Sequence, residues 1–401
     1  MKRTPDLAAV LALLLAFGAT AAVAAEAEPT LATSDFAGLP PLKGTGYSVD
    51  AKVPVRGYHG QFTVHTDHGD VVADGAQMLQ QRIAEVGPAA ELEKISGTDV
   101  FVDALGKSAK NSATAVGKAV TNPVETMKAI PSGVGRFFKS AGDSAKSATS
   151  GDAGDAGDAT KDALGINKAK RELAKKVGVD PYTTNAVVAK RLDSLANAAF
   201  AGGVSLNVVM AVSTAGVATA LSVTKTVSNL AWDLPPEDVR KRNDAELATL
   251  GIAEGNRRAL LGNKWYTPTM ALAFAESFKQ LGVKAGGDAF VALAAKAETE
   301  SEARFYIAQL VMAKQYAAGG DAIKSIEAPG QVGIFRTAGG NAFVPAPADY
   351  LSFTDGVEAF AKRPVAGAKQ KIAWLTGRAS PAAKKGLEAQ GWTLRESVAL
   401  K

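Results

Sequence analysis

From Tyr47 to Val55 apolar and polar positions alternate, with Tyr47, Val49, Ala51, Val53 and Val55 on one side and Ser48, Asp50, Lys52 and Pro54 on the other. This period of two predicts a half-buried strand, and Pro54 places it at a sheet edge. Tyr58, Phe62 and Val64 share one face of a second strand, Tyr58 to His65. Asp67-His68-Gly69-Asp70 reads as a hairpin turn into a third strand at Val71 to Ala73. Leu79, Ile83 and Val86 then fall at helical spacing, so residues 44–100 are expected to form a small β-meander followed by a helix.

The period changes after Val100. Phe101, Leu105, Ala109, Ser112, Val116 and Val120 make a narrow helical stripe of mostly small side chains, with lysines off it. Asn122-Pro123-Val124-Glu125 has the residues of a helix start: a cap, a first-turn proline and a capping-box acid. Residues 101–143 therefore read as a basic amphipathic arm. Residues 144–162 are mostly Ser, Ala, Gly and Asp, with Gly-Asp-Ala three times in succession from Gly151, a composition that predicts a flexible linker.

Residues 168–320 carry helical patterning, punctuated at Asp180 to Asn185 and at Pro235-Pro236. Thr267-Pro268 reads as cap and first turn, with Met270, Phe274, Phe278 and Leu281 on one face. Thr299 to Tyr316 reads as another helix. Ser194 to Thr224 contains no charged residue. It is long enough to span a bilayer, but its Asn, Ser and Thr content favours a buried helix or helical hairpin in a bundle. Residues 330–401 change class: short strands at Val332 to Arg336 and Ala342 to Val344, then strand Lys371 to Leu375, a helix opened by Ser380-Pro381 and closed by Gly391, and strand Trp392 to Ser397. A crossover of that length permits parallel pairing, within the unit or with the N-terminal strands. The expected fold is mixed and mainly α: an N-terminal β-meander, a central helical core and a C-terminal strand–helix–strand unit.

Composition adds a location. Lys2 and Arg3, the apolar run Leu7 to Ala16, and small residues at Ala22-Val23-Ala24 and Val23-Ala24-Ala25 make residues 1–25 a cleavable signal peptide. The expected destination is the periplasm or the exterior. No cysteine occurs, so disulfides, thiolate metal sites and a lipoprotein anchor are excluded.

The net charge of +5 is localised. Between Ala104 and Ser150 stand Lys107, Lys110, Lys118, Lys128, Arg136, Lys139 and Lys146, opposed only by Glu125 and Asp143. With Phe137 and Phe138 set between Arg136 and Lys139, this segment is the candidate contact with an anionic membrane surface or an envelope partner. Nucleic acid is not expected, because aromatics are not interleaved through the basic run. The sequence leaves oligomeric state open.

Enzyme signatures are absent. Gly106-Lys107-Ser108 resembles the tail of a phosphate loop, but Phe101 occupies its first glycine position. Two other clusters carry candidate chemistry. His65, Asp67 and His68 could converge on zinc or copper around the turn, with Asp70 as a fourth ligand, or host a hydrolytic acid–base pair; a solvated hairpin tip explains the same residues without an ion. His59, six residues along the strand from His65, is about 20 Å away and cannot share that ion. No cofactor is otherwise expected. Arg378 and Ser380, where a strand ends and a helix begins, could hold an anion, although capping by Ser380 alone accounts for the motif. The preferred reading is a non-enzymatic cell-envelope protein acting through its basic arm; the alternative is a periplasmic metal-binding or hydrolytic enzyme using the histidine hairpin.

Overall fold

The computed structural model describes residues 25–96, 156–202 and 224–400. Over the described residues the chain is mixed α/β, 49% helix and 19% strand, with an N-terminal antiparallel sheet and a C-terminal mixed sheet. Residues 1–24 of the expected signal peptide and residues 101–143, the expected basic arm, lie outside the described residues.

The N-terminal sheet comprises β1 (Thr30–Ala32), β2 (Lys43–Gly44), β3 (Tyr47–Val49), β4 (Lys52–Arg56), β5 (His59–Thr66) and β6 (Val71–Asp74). Its strands run in the order β1-β4-β5-β3-β2, with β6 also paired to β5. The expected strand Tyr47 to Val55 is therefore two. Val49 pairs with Val64 but Val55 pairs with Gly60, so the register shifts across Asp50-Ala51. Nor does Pro54 mark an edge, because β4 lies between β1 and β5. The paired positions of β4 and β5 are Val55 and Arg56, next to the proline, which has no N–H to extend the ladder. Phe36, Val53, Val55, Phe62, Val64, Ala73, Met78 and Leu79 form the core beneath the sheet.

β4 and β5 are joined by Gly57-Tyr58, both at positive φ, +57° and +67°. Two residues of that conformation make the hairpin turn whose twist suits the strands. Tyrosine is an unusual occupant. It is held from outside: Glu28 accepts the N–H groups of Gly57 and Tyr58 (3.0 and 2.6 Å), and the Tyr58 carbonyl accepts those of Asp349 and Tyr350.

Helices Ala76–Ala84 and Val86–Ser96 follow the sheet. The second packs Ala89, Leu92 and Ile95 against helices Ala156–Val177 and Ala186–Gly202. The first of these begins at Ala156, inside the stretch expected to be linker: the Gly-Asp-Ala composition signals flexibility, but its alanines also have the highest helix propensity. Residues 194–202 complete the second, with Leu195, Ala196 and Ala198 buried. Residues 203–223 of the uncharged run lie outside the described residues. No described helix is long and apolar enough to cross a membrane.

The largest core gathers helices Lys225–Asp233 to Glu300–Ala317 around stacked Phe274, Phe278 and Phe290. The predicted caps Thr267 and Ser380 each accept an N–H from the first turn of their helix; Thr299 does the same, and Gly282 is left-handed where its helix stops.

The C-terminal sheet contains β7 (Ile323–Glu327), β8 (Ile334–Thr337), β9 (Ala342–Ala346), β11 (Lys371–Leu375) and β13 (Trp392–Arg395), in the order β13-β11-β9-β8-β7. The pairs β9/β11 and β11/β13 are parallel, and the latter encloses the predicted strand–helix–strand unit, its helix spanning Pro381–Ala389. Phe335 and Phe343 face the helical core, while Ile334, Ala342 and Val344 face the opposite layer with Trp392. The helical core and the C-terminal sheet thus share one interior. A two-stranded parallel pair, β10 (Tyr350–Leu351) with β12 (Arg378–Ala379), sits beside it.

Candidate functional site

The hairpin does not bring His65, Asp67 and His68 together. His65 is sandwiched by two carboxylates, Asp50 at Nε2 and Asp70 at Nδ1, both 2.9 Å away. Hydrogen bonds to Asp50 and Asp70 raise its pKa. His68 turns to Glu93 on the following helix, 2.8 Å away, and Asp67 is exposed beside Gly46. Among the described residues, no group of three or more His, Cys, Asp or Glu is placed to hold a metal ion.

At the second cluster, Ser380 accepts the Ala383 N–H as a helix cap. The anions there belong to the chain. The Glu396 carboxylate accepts the Ala379 N–H (2.7 Å), and the Glu26 carboxylate accepts the Phe353 N–H (2.9 Å) and the Ser380 hydroxyl. The Arg378 side chain is exposed. Glu26 also donates its own N–H to the Phe353 carbonyl, so the segment at Glu26 is clasped by the C-terminal unit.

Lys107, Lys110, Lys118, Lys128, Arg136, Phe137, Phe138 and Lys139 lie outside the described residues, but the helices flanking them do not. Helices Ala156–Val177 and Ala186–Gly202 are antiparallel: Lys170 pairs with Asp193 (2.7 Å), and the Phe200 ring packs over Gly165. Helix Val86–Ser96 runs parallel to the second of them, since Glu85 meets Thr183 and Asn185 while Arg191 meets Ala89 and Glu93. Ser96, Ala156 and Gly202 therefore all point to one pole of this cluster. The described chain stops at Ser96 and at Gly202, and resumes at Ala156, at that pole.

At the opposite pole lies a buried ionic network. The Glu85 carboxylate accepts from Arg82, Gln81, Thr183 and Asn185. Arg82 also donates to the Thr184 hydroxyl, which donates to Glu300. Arg304 donates to Glu300 and to Gln81. Arg82, Glu85 and Arg304 are each at most 5% exposed. Burial alone would raise the pKa of Glu300, but the charges of Arg304 and Arg82 outweigh it and hold the carboxyl low. The network ties helix Ala76–Ala84 to the helical core. A signal for it exists in the sequence: Met78, Arg82 and Glu85 share a helical face, as do Glu300, Arg304, Ile307 and Val311, so these charges fall on buried stripes.

Nearby Asp180 is pushed up to about 6 by burial, against hydrogen bonds from Thr269 and the Tyr182 N–H. A carboxyl with a raised folded pKa costs stability as pH climbs from its unfolded value of about 3.9 through 6, on the order of 3 kcal/mol in full. Both bonds end on the same oxygen, Oδ1, which an amide retains. Urea midpoints should show Asp180→Asn gaining on the native chain between pH 4 and 7. A constant difference across that range would contradict the assignment.

A fourth cluster joins the N-terminal sheet to the C-terminal unit. One carboxylate oxygen of Asp349 accepts the N–H groups of Gly60 (2.9 Å) and Ala76 (3.0 Å) and stands 3.7 Å from His59 Nδ1. Ala76 is the first residue of its helix and Gly75 offers no side-chain cap, so Asp349 caps that helix from 273 positions away. No protein-family model, curated protein or solved structure matches this chain. The buried ionic network and the Asp349 cluster each join elements distant in sequence.

Proposed function

We propose that this chain is an exported, non-enzymatic cell-envelope protein that contacts an anionic membrane surface through residues 104–150. The carrying observation is the attachment of that segment: the helices that flank it end at one pole of a packed cluster, where Gly202 also lies. Opposite charges on the two sides of an aqueous gap attract over about a Debye length, and salt weakens them. Export fits the clasp on Glu26: cleavage after Ala24 or Ala25 leaves its contacts with Phe353 and Ser380 intact.

Because Ser96 and Ala156 face the same pole, residues 104–150 can be replaced by a Gly/Ser linker without separating packed helices. The native chain should sediment with phosphatidylglycerol vesicles at low salt, be released at 0.5 M salt on the order of a 3–5 Å Debye length, and ignore phosphatidylcholine vesicles. The deletion variant should stay in the supernatant. Equal sedimentation of the two chains would end this reading.

A further inference from the structure

We propose that His59 and Asp349 form a pH-sensitive latch between the N-terminal sheet and the C-terminal α/β unit, closed while His59 is a cation and loosened when it is neutral. The proposal is independent of the membrane reading. It rests on how the junction is built. His59 opens β5 directly after the Gly57-Tyr58 turn, and its side chain is only 17% exposed; that of Asp349 is 8% exposed. Beside the pair, the contacts are backbone or neutral: the Tyr58 carbonyl accepts the Asp349 and Tyr350 N–H groups, and the Tyr58 hydroxyl meets the Thr354 hydroxyl at 2.9 Å; the charged Glu26 clasp lies farther along the unit, on Phe353 and Ser380. Asp349 brings a negative charge to this buried place, and two amides share the oxygen that faces the imidazole.

The surroundings set the sign. Asp74 at the end of β6 faces His59, where it also accepts from Gln61; Glu28 faces it from the N-terminal segment while gripping the turn amides. Against these carboxylates stands Arg56, paired with His59 across the hairpin but exposed. Arg378 contributes its main-chain N–H to the Asp349 carbonyl, with its side chain in solvent. Three carboxylates therefore face one imidazole in a poorly solvated site. Burial disfavours the imidazolium, but the Asp349 carboxylate 3.7 Å away and the charges of Asp74 and Glu28 prevail, so its pKa is raised. A histidine raised in the folded state stabilises fully below its unfolded value, about 6.5, and ceases to do so as pH rises through the folded value. The junction is thus tightest in acid and loosens toward alkaline pH.

The test uses the full mature chain. The His59 imidazole is titrated by NMR, and exchange of the Gly60, Asp349 and Tyr350 amides, normalised for intrinsic rate, is followed from pH 5 to 9 in the native chain, in His59→Gln and in His65→Gln. The latch requires His59 to titrate above about 6.5. In the native chain the opening of these amides should grow by up to about tenfold per pH unit between the two pKa values. His65→Gln, which alters an exposed imidazole of the same strand, should keep this dependence, and His59→Gln should lose it. His59 titrating at or below its ordinary value, or an unchanged dependence in His59→Gln, would overturn the proposal.

Discussion

Arg304→Leu is expected to remove about 3–5 kcal/mol of stability, the cost of breaking a buried ion pair from one side. The leucine fills part of the space but leaves the Glu300 carboxylate without its closest cation, and Gln81 Oε1 without the guanidinium that donates to it at 2.8 Å. Against a typical total of about 5–15 kcal/mol, such a loss is visible in any urea or thermal denaturation. Two further measurements separate it from a packing defect. Glu300 is held low by Arg304 and Arg82; a depressed carboxylate stabilises above its unfolded pKa, about 4.3, and the stabilisation fades as pH falls through the folded value. The deficit of Arg304→Leu should therefore shrink in acid. In addition, Arg304→Leu/Glu300→Leu should be less destabilised than Arg304→Leu alone, because removing both charges leaves neither stranded. A double variant as unstable as the sum of the two singles would show that the pair is not coupled.

Gly377→Ala should cost about 3 kcal/mol, the upper part of the usual range for forcing a methyl into a packed site. A Cβ on Gly377 would lie 1.8 Å from the Asp349 carbonyl oxygen and 2.4 Å from its carbonyl carbon. These are backbone atoms and cannot rotate away. Relief requires residues 348 and 349 to move, and they are held by Gly377 N–H to the Ala348 carbonyl and Arg378 N–H to the Asp349 carbonyl. Movement of Asp349 also withdraws the acceptor from Gly60 and Ala76, so amide exchange at both should accelerate in the N-terminal half of the chain. Gly87→Ala is the matched control: it is helical with nothing within 4 Å of an added Cβ, and should be neutral or stabilise by up to about 1 kcal/mol. If the two variants behave alike, the close approach at Gly377 is not a constraint.

Much of the local structure was legible because its causes are local. Thr267-Pro268 and Ser380-Pro381 start helices since a hydroxyl acceptor and a ring that needs no N–H suit the first turn wherever they occur. Val332 to Arg336 and Lys371 to Leu375 anticipated strands that the structure contains at Ile334–Thr337 and Lys371–Leu375. Local reasoning went astray where a neighbour from elsewhere decides. Pro54 suggested an edge, but β1 covers that side of β4. Tyr58 carries no turn signature, since a tyrosine with positive φ is tolerable only with Glu28 and Asp349 holding its peptide groups. The histidines looked like a cluster because they are close in sequence, while the structure gives each a separate acid: His59 to Asp349, His65 to Asp50 and Asp70, His68 to Glu93.

By itself the sequence determined the periods of its strands and helices, most of their ends, the sheet–helix–sheet order and the concentration of positive charge between Lys107 and Lys146. Those properties depend on residues within a turn or two of one another, where spacing and side-chain chemistry suffice. Only the tertiary structure decided what the buried charges bind. Arg82 and Glu85, or Glu300 and Arg304, have the spacing of ordinary surface pairs, and Asp349 is an ordinary loop acid. Burial gives them their roles: away from water an unpaired charge or amide is costly, so residues hundreds of positions apart meet to satisfy one another.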